Sequence, residues 1–382
     1  MLNNKKILHV NLYGSHKGGA ENYIREIAAG MSEYGHYLLY ALQPEPAYLQ
    51  AFAGSYGVLN KGDDSIGAAI REIGPSCVII YNIESKSMGV FLKLRRELGF
   101  KIIKSFHDYR MIYMGTGYNR ITLRRTPDPI GWTSLLSCFT RDAFTRKIRF
   151  ESIRQKKRLL AEVNEADAIE VHTEDMRKTL ARNGIAPGKI YLNPPWASGC
   201  GGNSLPEDRS ILFVGNLIRG KGPMLLLKAL RKVHEKFNLK IVGDGYQRDR
   251  LQKYAASHKI AAAFMGNIPK GRLSELYGAS SLVVVPSVLE PFGFVIVEAM
   301  SNKRAVIAFD AGGTSELIKN GLNGCLIKPF NLNELASRIE DFLRNPDKAL
   351  RMGEKGYEIY SVRFTFQEHL KRLREKLTEL EV

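Results

Sequence analysis

Short runs of β-branched and apolar residues alternate along this chain with longer segments whose apolar positions recur every three or four residues. KKILHVNLY predicts a first strand. ENYIREIAAGMSEYG predicts a helix, because Ile24, Ile27, Ala28 and Met31 fall on one face and Gly35 stands where a helix-ending glycine belongs. The glycine-rich GSHKGGA lies between them. CVIIYN, KIIKSF and DAIEVHT predict further strands with helical pattern around them, the order expected of a parallel sheet wound with helices. NPPWASGCGGNSLPEDRS then breaks the pattern. Pro194, Pro195, Gly199, Gly201, Gly202 and Pro206 leave room for neither helix nor strand, so it reads as an inter-domain linker.

After the linker the pattern restarts. SILFVGN predicts a strand, LIRGKGP a loop, and MLLLKALRKVHEKF an amphipathic helix. LKIVGDG, SLVVVPS, RAVIAFD and NGCLIKP predict strands with helices between them, and FTFQEHLKRLREKLTELEV a charged amphipathic helix. The expected fold is α/β, with two doubly wound domains at 1–195 and 205–360 and a terminal helix at 361–382. No close repeat relates the halves.

Composition narrows the class without choosing a function. A chain of 382 residues is comfortable for two domains, and 44% hydrophobic with 25% charged residues is ordinary for a globular protein. No apolar run approaches ~18 residues, so no spanning helix is expected, and the N-terminus reads as a strand and not a signal peptide. The four cysteines, Cys77, Cys138, Cys200 and Cys325, form no C-x-x-C pair, which argues against a disulfide framework and suits a cytoplasmic setting. The net charge of +17 points to an anionic partner: nucleic acid, an acidic membrane face or a phosphorylated small molecule. Much of it gathers in residues 120–160, which hold eleven Lys/Arg against three acids, with Trp132, Phe139, Phe144 and Phe150 interleaved. Binding of an anionic membrane surface, of an acceptor phosphate, or a plain solvated face are three readings of that segment.

Ligands of doubly wound sheets bind at the carboxyl ends of the strands. Three glycine loops fall there. Gly14 to Gly19 precedes a helix start that can receive an anion, or is a tight turn. GNLIRGKG carries Arg219 and Lys221, which suit a diphosphate or are two surface charges. VGDG, with Gly243, is a binding loop or a strand-to-helix turn. The stretch EPFGFVIVE places Glu290 before a helix start and Glu298 further along that helix. The amides of Phe292, Gly293 and Phe294 would point outward there. Carboxylates accept paired hydroxyls well, so one glutamate for each of two sugar rings, with phosphates between, fits a nucleotide-sugar; a salt bridge or a cap for each is the plainer reading.

EPFGFVIVEAM resembles the E-x7-E segment of retaining GT-B glycosyltransferases, specifically glycosyltransferase family 4. VGNLIRGKG, IVGDGYQRDRL, FMGNIPKGRLSELYGASSLVVVPS and AFDAGGTSELIKNGLNGCLI are similar to that family's C-terminal domain in order and spacing. KGGAEN, with Gly18 and Gly19, resembles its G-G-x-E loop, and SFHDYR its strand-end histidine motif, while residues 110–165 match poorly and read as a basic insertion. The resemblance implies two Rossmann-like domains facing a cleft, with the C-terminal helix returning to the N-terminal domain. It implies transfer of a hexose from a UDP- or GDP-linked donor to a glycan or lipid-linked acceptor, with retention and without metal or other cofactor. The chain has no D-x-D motif, in keeping with the last point. Carried over by position, Glu298 would hold the ribose, Glu290 the hexose, Lys221 the diphosphate and Gly19 a place near the phosphates. His107 would face the reacting sugar, though it could be a core histidine, and Asn267 and Ile268 would lie near the base. Asn216 stands where the family usually has arginine, so Arg219 would have to substitute. Bacterial surface polysaccharide synthesis is the implied setting. A nucleotide-sugar epimerase of the same shape, and a nucleic-acid-binding protein, are the alternatives, although no nucleic-acid motif appears.

Overall fold

The computed structural model describes residues 5–15, 19–81, 88–107, 150–199, 209–288 and 290–382. The chain divides into two units, Met1–Asn193 with Leu370–Val382, and Pro194–His369.

The first unit is built on a parallel sheet of β1 (Lys6–Val10), β2 (Gly35–Leu39), β3 (Gly54–Tyr56), β4 (Cys77–Ile80), β5 (Lys101–Phe106), β6 (Ala168–Val171) and β7 (Ile190–Leu192). The spatial order is β3-β2-β1-β4-β5-β6-β7. Its helices are α1 (Gly19–Gly30), α2 (Pro46–Leu49), α3 (Asp63–Ile73), α4 (Met88–Leu98), α5 (Phe150–Asn164) and α6 (Glu174–Arg182). Local chemistry sets their ends. Asp63 and Asp64 sit in the first turn of α3, where the helix dipole favours anions, and Gly74 closes it in the left-handed conformation. The Thr173 hydroxyl accepts the Met176 amide at 3.2 Å and caps α6.

Period two sorts this sheet into unlike faces. Leu8, Val10, Val78, Ile80, Ile102, Phe106, Ile169 and Val171 join the buried apolar cluster with α3, α4 and α5. The alternate positions include His9, Ser105 and Glu170, all buried. Buried polar side chains in a strand demand partners, and the site below is where they find them.

The second unit has β8 (Ser210–Val214), β9 (Asn238–Val242), β10 (Ala262–Gly266), β11 (Leu282–Val285), β12 (Ala305–Phe309) and β13 (Gly324–Ile327) in the parallel order β10-β9-β8-β11-β12-β13. Its helices are α7 (Pro223–Leu230), α8 (Arg248–Ser257), α9 (Lys270–Gly278), α10 (Phe294–Ser301), α11 (Thr314–Leu317), α12 (Leu332–Arg344) and α13 (Pro346–Arg363). Here both faces are apolar. Ile211, Phe213, Leu282, Val284, Ile307 and Phe309 face one cluster, and Leu212, Val283, Val285, Val306 and Ala308 the other. A last helix, α14 (Phe366–Glu379), begins in the second unit and ends in the first. There Leu370, Leu373 and Leu377 are buried and Arg374 pairs with Glu33 at 2.7 Å.

The helix expected over MLLLKALRKVHEKF stops at Leu230. The amides of Lys232 and Val233 turn to carbonyls three residues back, which tightens the last turn, and the chain must then reach Asn238 to open β9. Val233, from this turn, and Phe237, just before β9, still pack on the core. Among the described residues no helix is long and apolar enough to cross a membrane. Of the basic segment 120–160, residues 120–149 lie outside the described residues, and 150–160 belong to α5.

Candidate active site

In the second unit the expected residues gather at the carboxyl ends of four neighbouring strands. After β8 the chain passes Asn216 and makes one tight helical turn over Arg219–Lys221. It reverses at Gly222, whose φ of 72° is left-handed. A Cβ there would stand 2.0 Å from the Pro286 carbonyl oxygen, so the loop can lie against the end of β11 only with glycine at this point. The Gly220 carbonyl accepts the Val288 amide at 2.9 Å and ties the two loops together. Lys221 Nζ is thereby brought 2.8 Å from Glu290 Oε2. Glu290 is buried and Lys221 part-exposed, so the pair is open to solvent on the lysine side.

Glu290 is braced through its backbone, where its carbonyl accepts the Gly313 amide at 2.9 Å. Helix α10 begins after Gly293, which has a φ of 107°. Its carbonyl takes the amides of Ile296 and Val297, so Phe294 and Val295 present first-turn N–H groups ahead of the helix ladder. Phe292 is buried with its ring against Phe294, at 5.3 Å between centroids. Glu298 lies one turn further on, half-buried, and its Oε2 accepts the Tyr277 hydroxyl at 2.6 Å. Burial, then the Glu298 charge, hold the Tyr277 phenol well above its ordinary value, so it stays a donor that fixes the carboxylate.

Asn216 and Arg219 are exposed beside these groups, and the Arg219 amide donates to Tyr246 Oη at 3.1 Å. Gly243, after β9, has a φ of 120° and a Cβ there would meet the Gly215 carbonyl oxygen at 2.1 Å, so the two glycine loops lie backbone against backbone. Asn267 is exposed after β10, and Ile268 is half-buried in the cluster that holds Tyr277.

The first unit holds the other expected residues. Gly18 lies outside the described residues, and Gly19 opens α1. His107 follows β5 with both ring nitrogens engaged: Nε2 is 3.2 Å from Ser105 Oγ and Nδ1 is 3.3 Å from His172 Nε2. Tyr23 meets the ring edge-on at 4.8 Å. Ser105 donates in turn to Glu170 Oε2 at 2.5 Å, and Glu170 Oε1 accepts from Asn193 Nδ2 at 2.8 Å and from Tyr23 and Tyr191 hydroxyls at 3.2 Å.

Reading the sequence for motifs missed Tyr277, Tyr246, Ser105, Glu170 and His172. A signal for two of them was present. In DAIEVHT a glutamate and a histidine two apart share the face of a strand whose neighbours are apolar.

A family model described as Glycosyl transferases group 1 matches residues 202–359. An uncharacterized glycosyltransferase of Methanocaldococcus jannaschii is 32% identical over 182 residues, covering 45% of this chain and 46% of that one. The chain spans about half the length of the sequence relatives it matches. Among solved structures, sucrose-phosphate synthase from Thermosynechococcus elongatus superposes with a TM-score of 0.75 at 19% identity, covering 99% of both chains. HepE from Anabaena, in complex with UDP and glucose, superposes with a TM-score of 0.75 at 18% identity, covering 98% of this chain and 100% of that one. The fold is the GT-B fold of those glycosyltransferase structures, and residues 202–359 match the model of the glycosyl transferases group 1.

Proposed function

We propose that this protein transfers a hexose from a nucleotide-diphosphate sugar to a glycan or lipid-linked acceptor, with retention of configuration and without a metal. The observation that carries the reading is the Lys221–Glu290 pair at 2.8 Å, set beside the left-handed start of α10. A buried carboxylate held by a half-exposed lysine, next to first-turn amides, offers acceptors for sugar hydroxyls and donors for phosphate in one place. Lys221 and the amides would stabilise the departing diphosphate, where negative charge develops. Glu290 would orient the transferring hexose, and Glu298, steadied by Tyr277, would hold the ribose hydroxyls. Arg219 would supply the second cation that Asn216 lacks. Among the described residues no carboxylate stands out as a covalent nucleophile, so attack from the leaving-group face is the favoured course. The sequence has no D-x-D motif to hold a divalent ion on the diphosphate, which supports the metal-free reading.

HepE, with UDP and glucose in its solved complex, makes UDP the first nucleotide to test. Calorimetry with UDP, GDP and their sugars should give one tight nucleotide class. Turnover should release free nucleotide only when an acceptor is present. Donor-sugar isomerisation without nucleotide release would establish the epimerase instead. Activity should survive EDTA, and recovery by Mg²⁺ of activity lost to EDTA would refute the metal-free step. Bacterial surface polysaccharide is the setting the family suggests. If the acceptor is lipid-linked, the basic segment 120–160 would bring the enzyme to an anionic membrane face, each cation contributing about 1 kcal/mol. Vesicle sedimentation should then require anionic lipid and weaken with salt.

A further inference from the structure

The carboxyl edge of the first unit's sheet carries a polar row on one face. Ser105, Glu170 and Tyr191 are register neighbours across β5, β6 and β7, Tyr81 follows the last residue of β4, and His107, His172 and Asn193 stand two residues beyond Ser105, Glu170 and Tyr191. Donor and acceptor roles along this row can be assigned from groups that have one role. The Asn193 carbonyl, 2.9 Å from His172 Nδ1, only accepts, so His172 carries its proton on Nδ1 and turns a lone pair on Nε2 toward His107. At the other end Glu170 receives Ser105, Tyr23, Tyr191 and Asn193, the bonding of an ionised carboxylate. The Ser105 hydrogen is thus committed to Glu170, and its oxygen is left to accept from His107 Nε2–H. A neutral His107 protonated on Nε2 would face His172 with a second lone pair across 3.3 Å. One more proton resolves the conflict.

We propose that Glu170 and His172 are positioning residues that hold His107 as an imidazolium, with Nε2–H donating to Ser105 and Nδ1–H donating to His172. The charge sits on His107 because it is half-buried, whereas burial works against a charge on His172 and lowers its pKa. The groups facing the pair agree with this. Tyr23 on α1 and Tyr191 on β7 have phenols held up by burial and by Glu170, so they remain neutral donors, and Tyr81 lies 3.1 Å from His9 Nδ1. Lys376 on α14 lies over the outer ring of Tyr191, at 5.3 Å, and Lys104 binds the carbonyls of Ile80, Tyr81 and Ser105. Among the described residues of the row, Glu170 is the carboxylate. This inference rests on the function proposed above only for its consequence: a cationic His107 would supply fixed positive charge to an anionic group of donor or acceptor.

Ring nitrogen NMR of the ¹⁵N-labelled full-length protein tests it without turnover. At pH 7 both His107 nitrogens should be protonated, with a midpoint above the ordinary histidine value of about 6.5. Glu170→Gln should lower that midpoint by about 1 unit or more. His172→Phe should lower it too, while His172→Asn, whose amide oxygen can accept from Nδ1–H, should restore part of the shift. If Glu170→Gln fails to fold, Ser105→Ala, which cuts the link and keeps the carboxylate, should lower the midpoint less. Under the proposed function the alkaline limb of the kcat profile should follow the NMR midpoint in each variant. A neutral wild-type His107 at pH 7, or a midpoint unmoved by Glu170→Gln, overturns the inference. Failure of transfer with an imidazolium present would overturn the proposed function and leave this assignment standing.

Discussion

Two side chains and one glycine of the candidate site each have a neighbour that sharpens what their substitution does. Lys221→Ala strands the Glu290 carboxylate inside the unit. Loss of the pair should cost about 1–3 kcal/mol of stability, discounted because the lysine is part-exposed. It should also lower kcat about a hundredfold if Lys221 meets the leaving diphosphate. Urea unfolding and steady-state kinetics separate the two effects. A variant that loses stability and keeps kcat would leave the pair structural. Glu298→Gln exchanges a charged acceptor for a neutral one where Tyr277 donates. Donor KM should rise about tenfold with kcat little changed, since bonds to charged groups are worth roughly 1 kcal/mol more. Calorimetry with free nucleotide checks it. Gly222→Ala attacks the loop itself. A left-handed φ and a Cβ 2.0 Å from the Pro286 oxygen should cost at least about 2 kcal/mol, read as a lowered urea midpoint.

At the scale of elements, most strands that the sequence made legible are inner ones, although NGCLIKP falls as β13 at a sheet edge and inner β2 went unread. KIIKSF, SLVVVPS and RAVIAFD are buried on both faces, so they read as apolar runs and fall as β5, β11 and β12. β3, β7 and β10 sit at sheet edges, are part-exposed, and carry Gly54, Tyr191 and Gly266 where an inner strand would carry another aliphatic residue. Periodicity has little to grip there. The loops that bring Lys221 to Glu290 were legible as candidates because glycine, lysine and glutamate at fixed spacing leave few alternatives. The Ser105–Glu170–His172 row was not, because it joins strands far apart in sequence and each member alone looks like a core substitution. Nor was the pair of buried histidines on β1 and β2. His9 stacks on His36 at 5.2 Å, with Nε2 2.9 Å from His36 Nδ1, and His36 Nε2 lies 2.9 Å from the Met31 carbonyl. Burial lowers both pKa values, that of His9 further with help from His36. The folded pair is therefore neutral where the unfolded chain still takes up protons. Its contribution is present above about pH 6.5 and is lost as pH falls through the unfolded value toward the lowered folded ones. Urea midpoints measured from pH 7.5 to 5 should fall, and His36→Phe should flatten that fall while lowering the midpoint at pH 7.5.

For the whole molecule, the two units have separate sheets and separate cores, and each is large enough to unfold on its own. Their ligand chemistry is also unequal. The Lys221–Glu290 pair, Glu298 and the glycine loops at Arg219–Gly222 and Gly243 lie in the second unit, and the His107 row lies in the first. Nucleotide should therefore act on one core. At a hundredfold excess over Kd, binding adds about 2.7 kcal/mol to the unit that holds the site. Calorimetric unfolding should resolve two transitions, and UDP or GDP, whichever binds, should raise one of them and leave the other in place. Assignment follows from α14. Truncation after Arg363 removes the buried Leu373 and Leu377 and the Arg374–Glu33 pair, all belonging to the first unit. It should depress the transition that nucleotide does not move. It also removes Phe366 and His369, whose rings pack 4.7 Å from Trp196 in the second unit, so a narrower variant is needed. Leu373→Ala with Leu377→Ala leaves those rings untouched and should lower the nucleotide-insensitive transition alone, by several kcal/mol. If nucleotide raises the transition that this pair of substitutions lowers, the donor site has been placed in the wrong unit.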